Sequence, residues 1–260
     1  VFSLPTLMYF KGLPVMSSRL VLNSAANVSA GMDLAQAARF LRAGGVLIFP
    51  TETFYGMGCL ATHAEAVARV YQLKCRPVHK PLPLLAAHTA QVDDVAELAA
   101  MPKGLAAFWP GPLTVLLPAR ACLPQALVNA EGQVAVRVTP HPLAAQLAVE
   151  AGGALTASSA NLSGSEAVRS PQQLDPALLD ALKLDALQHA AQEMPISASG
   201  KESMQNQQPI LLGGPLPAGG LPSTVVEPLG CAKDGVCRLR VLRAGAVSVA
   251  ELVTAGFTVE

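Results

Sequence analysis

The stretch Val46-Leu-Ile-Phe-Pro-Thr-Glu-Thr-Phe-Tyr-Gly-Met-Gly58 restricts this chain more than any other. Its four apolar residues, ended by Pro50, read as a buried strand. Hydroxyls, a carboxylate and two glycines follow at once. Ligands of open α/β sheets sit at strand ends, so the change from apolar to polar marks the opening of a site. A helical stripe of Ala64, Val67, Ala68 and Tyr71 comes next and ends near Lys74-Cys-Arg-Pro77, where the residue before proline is forced into an extended path. A lysine and an arginine two residues apart are thereby delivered next to the hydroxyls. Fixed cations facing hydroxyls and glycines suit a small anionic ligand such as a nucleotide phosphate. The plainer alternative is a solvated cation pair that complements a helix C-terminus.

Around this stretch the chain alternates helical and strand patterns. Asp33 caps a helix carrying Leu34, Ala37, Ala38 and Leu41, which Gly44-Gly45 ends. Residues 82–86 read as a strand, placed at an edge or made irregular by Pro83. Val92, Val95, Ala96 and Ala99 mark a third helix, and 103–109 a short fourth. Strands are expected at 113–117, 134–138 and 154–157, with a helix over 142–151. Ser170-Pro171 is a cap and first-turn pair for a helix through about Lys183. Late strands fall at 210–212, 224–226 and 238–242. Asp234-Gly235 is a hairpin signal, and a short helix starts at Ser248. Without strict βαβ alternation, an open, twisted mixed sheet with a concave central cleft is expected, in one α/β domain.

Length and composition bound the rest. At 260 residues, 51% of them hydrophobic, the chain can build one large core. Lys plus Arg and Asp plus Glu are 18 each, so no global charge attracts nucleic acid, and any RNA contact must use a local basic patch. Five cysteines without a secretion signal imply reduced thiols and a cytoplasmic protein. Cys231 and Cys237 flank a hairpin turn and can face each other, but free thiols are the expectation. Their spacing is poor for zinc. No apolar run is long enough to span a membrane. Residues 1–30 read as an N-terminal extension outside a catalytic domain of 31–260. Residues 188–208, rich in Gln, Ser, Asn and Glu, read as a surface insertion.

Several residues carry two readings. Thr51, Thr53 and Tyr55 are either strand residues with β propensity or the wall of a pocket for a small polar molecule. Gly56 and Gly58 allow either a tight turn or close backbone approach. Lys80 is a third cation near the same anion or a plain surface lysine. Ser158-Ser-Ala-Asn-Leu-Ser-Gly164 is a polar turn or a cradle for phosphate or ribose. Arg137, inside the apolar run Val134–Val138, needs a partner: a carboxylate or a ligand anion. His141 between two prolines reads as structural, and Trp109 as a packed corner that either stays buried or lines the cleft.

The motifs P-T-x-T-x-Y-G-x-G and K-x-R-P-x-x-K-P-L, with Trp109-Pro-Gly-Pro-Leu-Thr114, Val136-Arg-Val-Thr-Pro-His-Pro142, Ser158–Gly164 and Pro222-Ser-Thr-Val-Val226, occur here in one order. This set resembles the YrdC-type threonylcarbamoyl-AMP synthases, over residues 33–245, and in particular the short, single-domain type. The resemblance implies a YrdC-like fold and a nucleotidyltransferase. Its substrates would be ATP, L-threonine and bicarbonate, with magnesium on the phosphates. Its products would be pyrophosphate and threonylcarbamoyl-AMP for modification of adenosine 37 in tRNA, with tRNA and tRNA-modification proteins as partners. It places Lys74, Arg76, Lys80, Ser159, Asn161 and Arg243 at ATP, and Thr53, Tyr55, Arg137 and Ser223 at threonine. Lys74 and Arg76 are the catalytic pair, and no metal-ligating residue is implied. In some members of the family asparagine stands where this chain has Lys80, and histidine where it has Leu84 and Leu85. The alternative is a non-catalytic RNA-binding module in tRNA or ribosome maturation. A third reading, carbamoyl phosphate chemistry, lacks the zinc-finger Cys-x2-Cys repeats that accompany it.

Overall fold

The structure is a computed structural model that describes residues 31–162, 165–193, 208–211, 214–232 and 235–260. The expected 1–30 extension and Asp234 lie outside these. In chain order the described elements are β1 (Gly31–Met32), α1 (Leu34–Arg42), β2 (Leu47–Pro50), β3 (Tyr55–Gly58), α2 (Ala64–Leu73), β4 (Leu84–Ala86) and α3 (Thr89–Val95). They continue with β5 (Leu113–Pro118), β6 (Gln133–Val138), α4 (Pro142–Ala151), β7 (Leu155–Thr156), β8 (Ser158–Ser159) and α5 (Pro176–Glu193). The last are β9 (Gln208–Leu211), β10 (Thr224–Cys231), β11 (Cys237–Arg243), α6 (Val249–Thr254) and β12 (Thr258–Val259).

The mixed α/β expectation holds, but the strands form two mixed sheets rather than one. The first runs β1-β9-β2-β3-β8 and the second β12-β11-β10-β5-β6-β4-β7. A five-residue stretch joins them. Leu155–Thr156 pairs with β4 in the second sheet, and Ser158–Ser159 pairs with β3 in the first. Strand alternation distributes the packing. In β2, Ile48 enters the larger apolar cluster with Met57, Val67, Leu84 and Val136, while Leu47 and Phe49 enter a second cluster with α1 and α4. In β4, Leu84 and Ala86 join the larger cluster and Leu85 the other.

Local chemistry explains most boundaries. Asp33 and Gln36 form a capping box on α1. Helices α2, α3 and α4 are capped by histidines: His63, His88 and His141 each accept a backbone N–H three residues on, from Ala66, Gln91 and Ala144. Helix α2 ends with Lys74 as its cap and Cys75 in the left-handed region, φ 47°.

Four expectations need correction. Strand β4 is not an edge, because β6 and β7 flank it; Pro83 precedes it and leaves its ladder intact. Helix α3 starts and ends earlier than expected, because His88 caps it. Ser170-Pro171 opens only a 3-10 turn, and α5 begins at Pro176 and runs ten residues past Lys183, to Glu193. Residues 188–193 are therefore helical, and His189 is buried with its ring nitrogen on the Ala43 carbonyl; residues 194–207 lie outside the described ones. Cys231 and Cys237 are bonded as a disulfide, facing each other in the β10–β11 register, where free thiols were expected. Cys59, Cys75 and Cys122 are free.

The two sheets meet at Gly58. A Cβ there would overlap the Thr156 carbonyl, whereas one at Gly56 would meet nothing closer than Thr51 Cγ2 at 3.5 Å. Backbone cannot yield as a side chain can, so Gly58→Ala is expected to destabilise the protein by roughly 1–3 kcal/mol or more and Gly56→Ala by clearly less. Thermal denaturation of the two variants checks this; equal melting temperatures would refute the close approach.

Candidate functional site

The turn 51–54 between β2 and β3 forms one wall of a cleft. Thr51 holds the turn: its backbone N–H donates to the Phe54 carbonyl at 3.1 Å, and its hydroxyl donates to the same oxygen at 2.6 Å. Thr51 and Thr53 are both buried, their hydroxyl oxygens 3.5 Å apart. Tyr55 opens β3 with its ring buried, and burial pushes its phenol above the ordinary range. These residues line a cavity of about 250 Å³ with Gly56, Arg76, Arg137, Ser158, Ser159, Ser223 and Arg243. Residues from β3, β6, β8, the end of α2 and the β10–β11 hairpin thus converge, as expected of a site at strand ends.

Arg137 meets the carboxylate of its first reading: its Nε donates to Glu52 Oε1 at 2.7 Å, and its side chain also borders the cavity. Glu52 Oε2 receives the Thr139 hydroxyl at 2.7 Å. Ser223 is held from two sides: Thr114 Oγ1 donates to its hydroxyl at 2.9 Å, and Arg243 Nη2 donates to the same oxygen at 2.9 Å. Arg243 also grips the Ser223 carbonyl with Nη2 at 2.6 Å and Nε at 3.1 Å. Burial, then the charges of Arg137 and Arg76, lower the Arg243 pKa, which shows three guanidinium groups sharing one field.

A second cavity, about 470 Å³, is lined by Lys74, Cys75, Arg76, Pro77, Lys80, Ser159 and Asn161. It shares Arg76 and Ser159 with the first. Lys74 is buried, and its Nζ donates to the Ser159 carbonyl and, at 2.6 Å, to the Asn161 carbonyl. Burial, helped by the Arg76 charge, lowers the Lys74 pKa to about 8. Arg76 is fixed by the Lys80 carbonyl on Nε at 2.8 Å and the Pro81 carbonyl on Nη2 at 3.2 Å. Ser159 Oγ donates to Asn161 Oδ1, and Asn161 Nδ2 donates to the Ser165 carbonyl. Lys80 is exposed at the rim.

All ten residues singled out from sequence therefore fall in these two connected cavities. Trp109 does not line them; it is buried, with its indole N–H on the Leu113 carbonyl at 2.7 Å. His141 is structural: it caps α4, and its Nε2 lies 2.8 Å from the Pro215 carbonyl. Sequence reasoning missed Thr114, Thr139 and the pairing of Glu52. The signal for Glu52 was Arg137 itself, a buried charge that needs a partner. Among the described residues no group of three His, Cys, Asp or Glu is placed to hold a metal ion, and no helix is long and apolar enough to cross a membrane.

Clustered guanidinium groups, a buried ammonium and fixed hydroxyls line adjoining cavities of an α/β protein built on two mixed sheets. A family model described as telomere recombination, covering Sua5, YciO and YrdC, matches residues 39–199. The chain belongs to the Sua5/YciO/YrdC family. It is 40% identical over 155 residues to a threonylcarbamoyl-AMP synthase of Stenotrophomonas maltophilia, covering 58% of this chain and 83% of that protein. It is 43% identical over 146 residues to one of Methylococcus capsulatus, covering 55% and 78%. Among solved structures it is similar to P. abyssi Sua5 complexed with L-threonine, with TM-score 0.65 and 28% identity, covering 87% of this chain and 58% of that one. It thus spans less than two thirds of the Sua5 chain. E. coli YciO, at TM-score 0.57 and 21% identity, shares the fold.

The lowered Lys74 pKa has a measurable consequence. The free protein loses the Lys74 proton as pH rises through about 8, and a polyphosphate nearby favours the charged form and raises that pKa. Binding of inorganic triphosphate near pH 8 is then expected to take up more protons in the wild type than in a folded Lys74→Met variant, whose comparison cancels the titration of the triphosphate itself. The difference is expected to shrink toward pH 6.5, where Lys74 is already charged. Calorimetry in buffers of different ionisation enthalpy reads this difference. Equal uptake by the two proteins at pH 8 would place the phosphates away from Lys74.

Proposed function

We propose that this cleft joins L-threonine, bicarbonate and ATP into threonylcarbamoyl-AMP with release of pyrophosphate. The chain is a threonylcarbamoyl-AMP synthase, a nucleotidyltransferase that supplies the intermediate for threonylcarbamoylation of adenosine 37 in tRNA. The observation that carries this reading is the pair of connected cavities sharing Arg76 and Ser159. One presents hydroxyls and three arginines, Arg76, Arg137 and Arg243, of which Arg137 at its wall suits an amino-acid carboxylate. The other presents a lysine, an arginine and a serine–asparagine pair, as a polyphosphate requires. The relatives bearing that enzyme name, and the Sua5 structure holding L-threonine, support the same assignment.

In this reading Thr53, Tyr55, Arg137 and Ser223 hold threonine. Lys74, Arg76, Lys80, Ser159, Asn161 and Arg243 hold ATP. Bicarbonate takes up a proton and loses water to give carbon dioxide. The lone pair of the neutral threonine amine forms the C–N bond to it, a C=O pair moves onto oxygen, and the amine gives up one proton to leave a carbamate, so the net loss is one water. A carbamate oxygen attacks the α-phosphorus, the bond to the β-phosphate oxygen breaks, and pyrophosphate leaves with its electron pair. The protein supplies no nucleophile. It aligns two anions that repel each other and balances their charge as it shifts to the leaving group. Magnesium would enter as part of the nucleotide substrate, since no carboxylate lines either cavity. A cytoplasmic location and tRNA-modification partners fit this role. The RNA-binding alternative is less well supported, since Lys74 and Arg137 are buried rather than spread over a face.

Pyrophosphate release from magnesium-ATP is expected only when L-threonine and bicarbonate are both present. Lys74→Ala is expected to lower that rate on the order of 10²–10³-fold with the circular dichroism spectrum retained. Release independent of threonine would make the protein a plain ATPase. Undiminished release by a folded Lys74→Ala variant would remove Lys74 from the catalytic pair.

A further inference from the structure

Glu52 does not line either cavity, yet it is tied to one of the residues that does. It sits in the turn between β2 and β3, with its carboxylate largely withdrawn from solvent. One oxygen accepts from Arg137 Nε at 2.7 Å and the other from the Thr139 hydroxyl at 2.7 Å. Thr139 is itself fixed, accepting the His141 N–H at 3.1 Å. The His141 ring is pinned at both nitrogens, by the α4 cap and the Pro215 carbonyl. The carboxylate therefore stands on a hydrogen-bonded chain reaching from the first sheet into the loop after β6.

A guanidinium group offers an anion two edges: the side, through Nε and one Nη, or the end, through both Nη atoms. Glu52 takes Nε. The terminal nitrogens of Arg137 make no hydrogen bond to the described residues, and the side chain lines the cavity. Arg76, Arg137 and Arg243 all line that cavity, and no carboxylate does. Unbalanced, Arg137 would repel Arg243 and serve a phosphate oxygen as readily as an amino-acid carboxylate.

We propose that Glu52 is a positioning residue. It locks Arg137 end-on toward the cavity and balances its charge, and thereby sets affinity and selectivity for a free α-carboxylate on the amino-acid substrate. The proposal rests on the synthase reading for the identity of that substrate. Glu52 touches no substrate and acts through Arg137 alone. Thr139 supports it from behind, so its loss has the same effect in weaker form.

The test uses the full chain and three variants, Glu52→Gln, Glu52→Ala and Thr139→Val, each checked for folding by thermal denaturation. Pyrophosphate release is measured against L-threonine and against ATP. Glu52→Ala is expected to raise the KM for threonine roughly 10- to 100-fold, the range for a lost charge-assisted hydrogen bond, while the KM for ATP stays within about twofold. Glu52→Gln, which keeps one acceptor, and Thr139→Val should fall between. L-Threoninamide, which lacks the carboxylate charge, is the second probe. The wild-type preference for threonine over the amide is expected to shrink about tenfold or more in Glu52→Ala. A purely structural role would raise both KM values together and leave that preference intact, which would overturn the proposal, as would an unchanged threonine KM. If Glu52→Ala does not fold, Thr139→Val carries the same two readouts. If the wild type releases no threonine-dependent pyrophosphate, the synthase reading fails. Calorimetric binding of L-threonine against the amide then decides the Glu52 role alone.

Discussion

The ion pair between Glu52 and Arg137 is the constraint on which the site depends. Glu52 belongs to the β2–β3 turn of the first sheet and Arg137 to β6 in the second, so the pair crosses the seam between them. Desolvating two charges costs several kcal/mol per ion before their attraction is counted. Such a pair is a poor source of stability compared with apolar packing of equal volume. It is, however, strongly directional: a one-residue slip of β6 would turn Arg137 to the opposite face and leave Glu52 buried without a cation. The pair therefore penalises wrong registers more than it rewards the right one, and it fixes how the two sheets present their polar ends to each other.

The rest of the cleft follows from what that seam leaves uncovered. Residues 155–159 leave the second sheet and enter the first within five positions, so the loop 158–162 must lie against β3 and the end of α2. Lys74 fills the space beneath it, its ammonium among backbone carbonyls. Carbonyl dipoles can solvate an ammonium but cannot neutralise it, which is why burial still lowers its pKa to about 8. The same reasoning applies to Arg76 and Arg243, each held by carbonyl oxygens rather than carboxylates. Among the described residues, Arg137 is the cavity-lining arginine that is paired with a carboxylate. In the proposed reading, the like charges of Arg76 and Arg243 are balanced by the substrate's phosphates.

Much of this was legible in the chain. The strand ending at Pro50, the helix ending at Lys74 and the Ser-Asn loop after a buried strand are local signals, and each put its residues where the cleft formed. What escaped was non-local. Whether the described strands make one sheet or two depends on pairing partners, and the division turns on Gly58 approaching the Thr156 backbone, which no periodicity encodes. Histidine caps were missed because cap rules favour Ser, Thr, Asp and Asn, although an imidazole nitrogen accepts the same N–H. Helix α5 was cut short because its polar C-terminal half shows no stripe, and its buried contact with Ala43 comes from a single residue, His189. The disulfide was missed because it was judged by compartment, not by geometry. An antiparallel hairpin that brings Cys231 opposite Cys237 makes the pairing a matter of register.

That hairpin shows how the site is divided between rigid and adjustable parts. Thr224 begins β10 alongside Leu113, deep in the second sheet, and Val226 is fully buried. Ser223, one residue earlier, inherits this rigidity and is further braced by Thr114. Arg243, at the far end of the returning strand, keeps part of its surface in solvent while its guanidinium group is withdrawn into the cavity, where it grips Ser223. Its position is therefore set by hydrogen bonds rather than by packing, and a phosphate oxygen can compete for its donors. Arg137, by contrast, is buried and clamped on one edge. The two arginines stand on opposite terms: one is placed before any ligand arrives, and the other can exchange a protein carbonyl for a substrate oxygen. Under the proposed synthase reading, two anions that repel each other are most easily brought together in that order, the fixed fork taking the carboxylate and the movable one the phosphate.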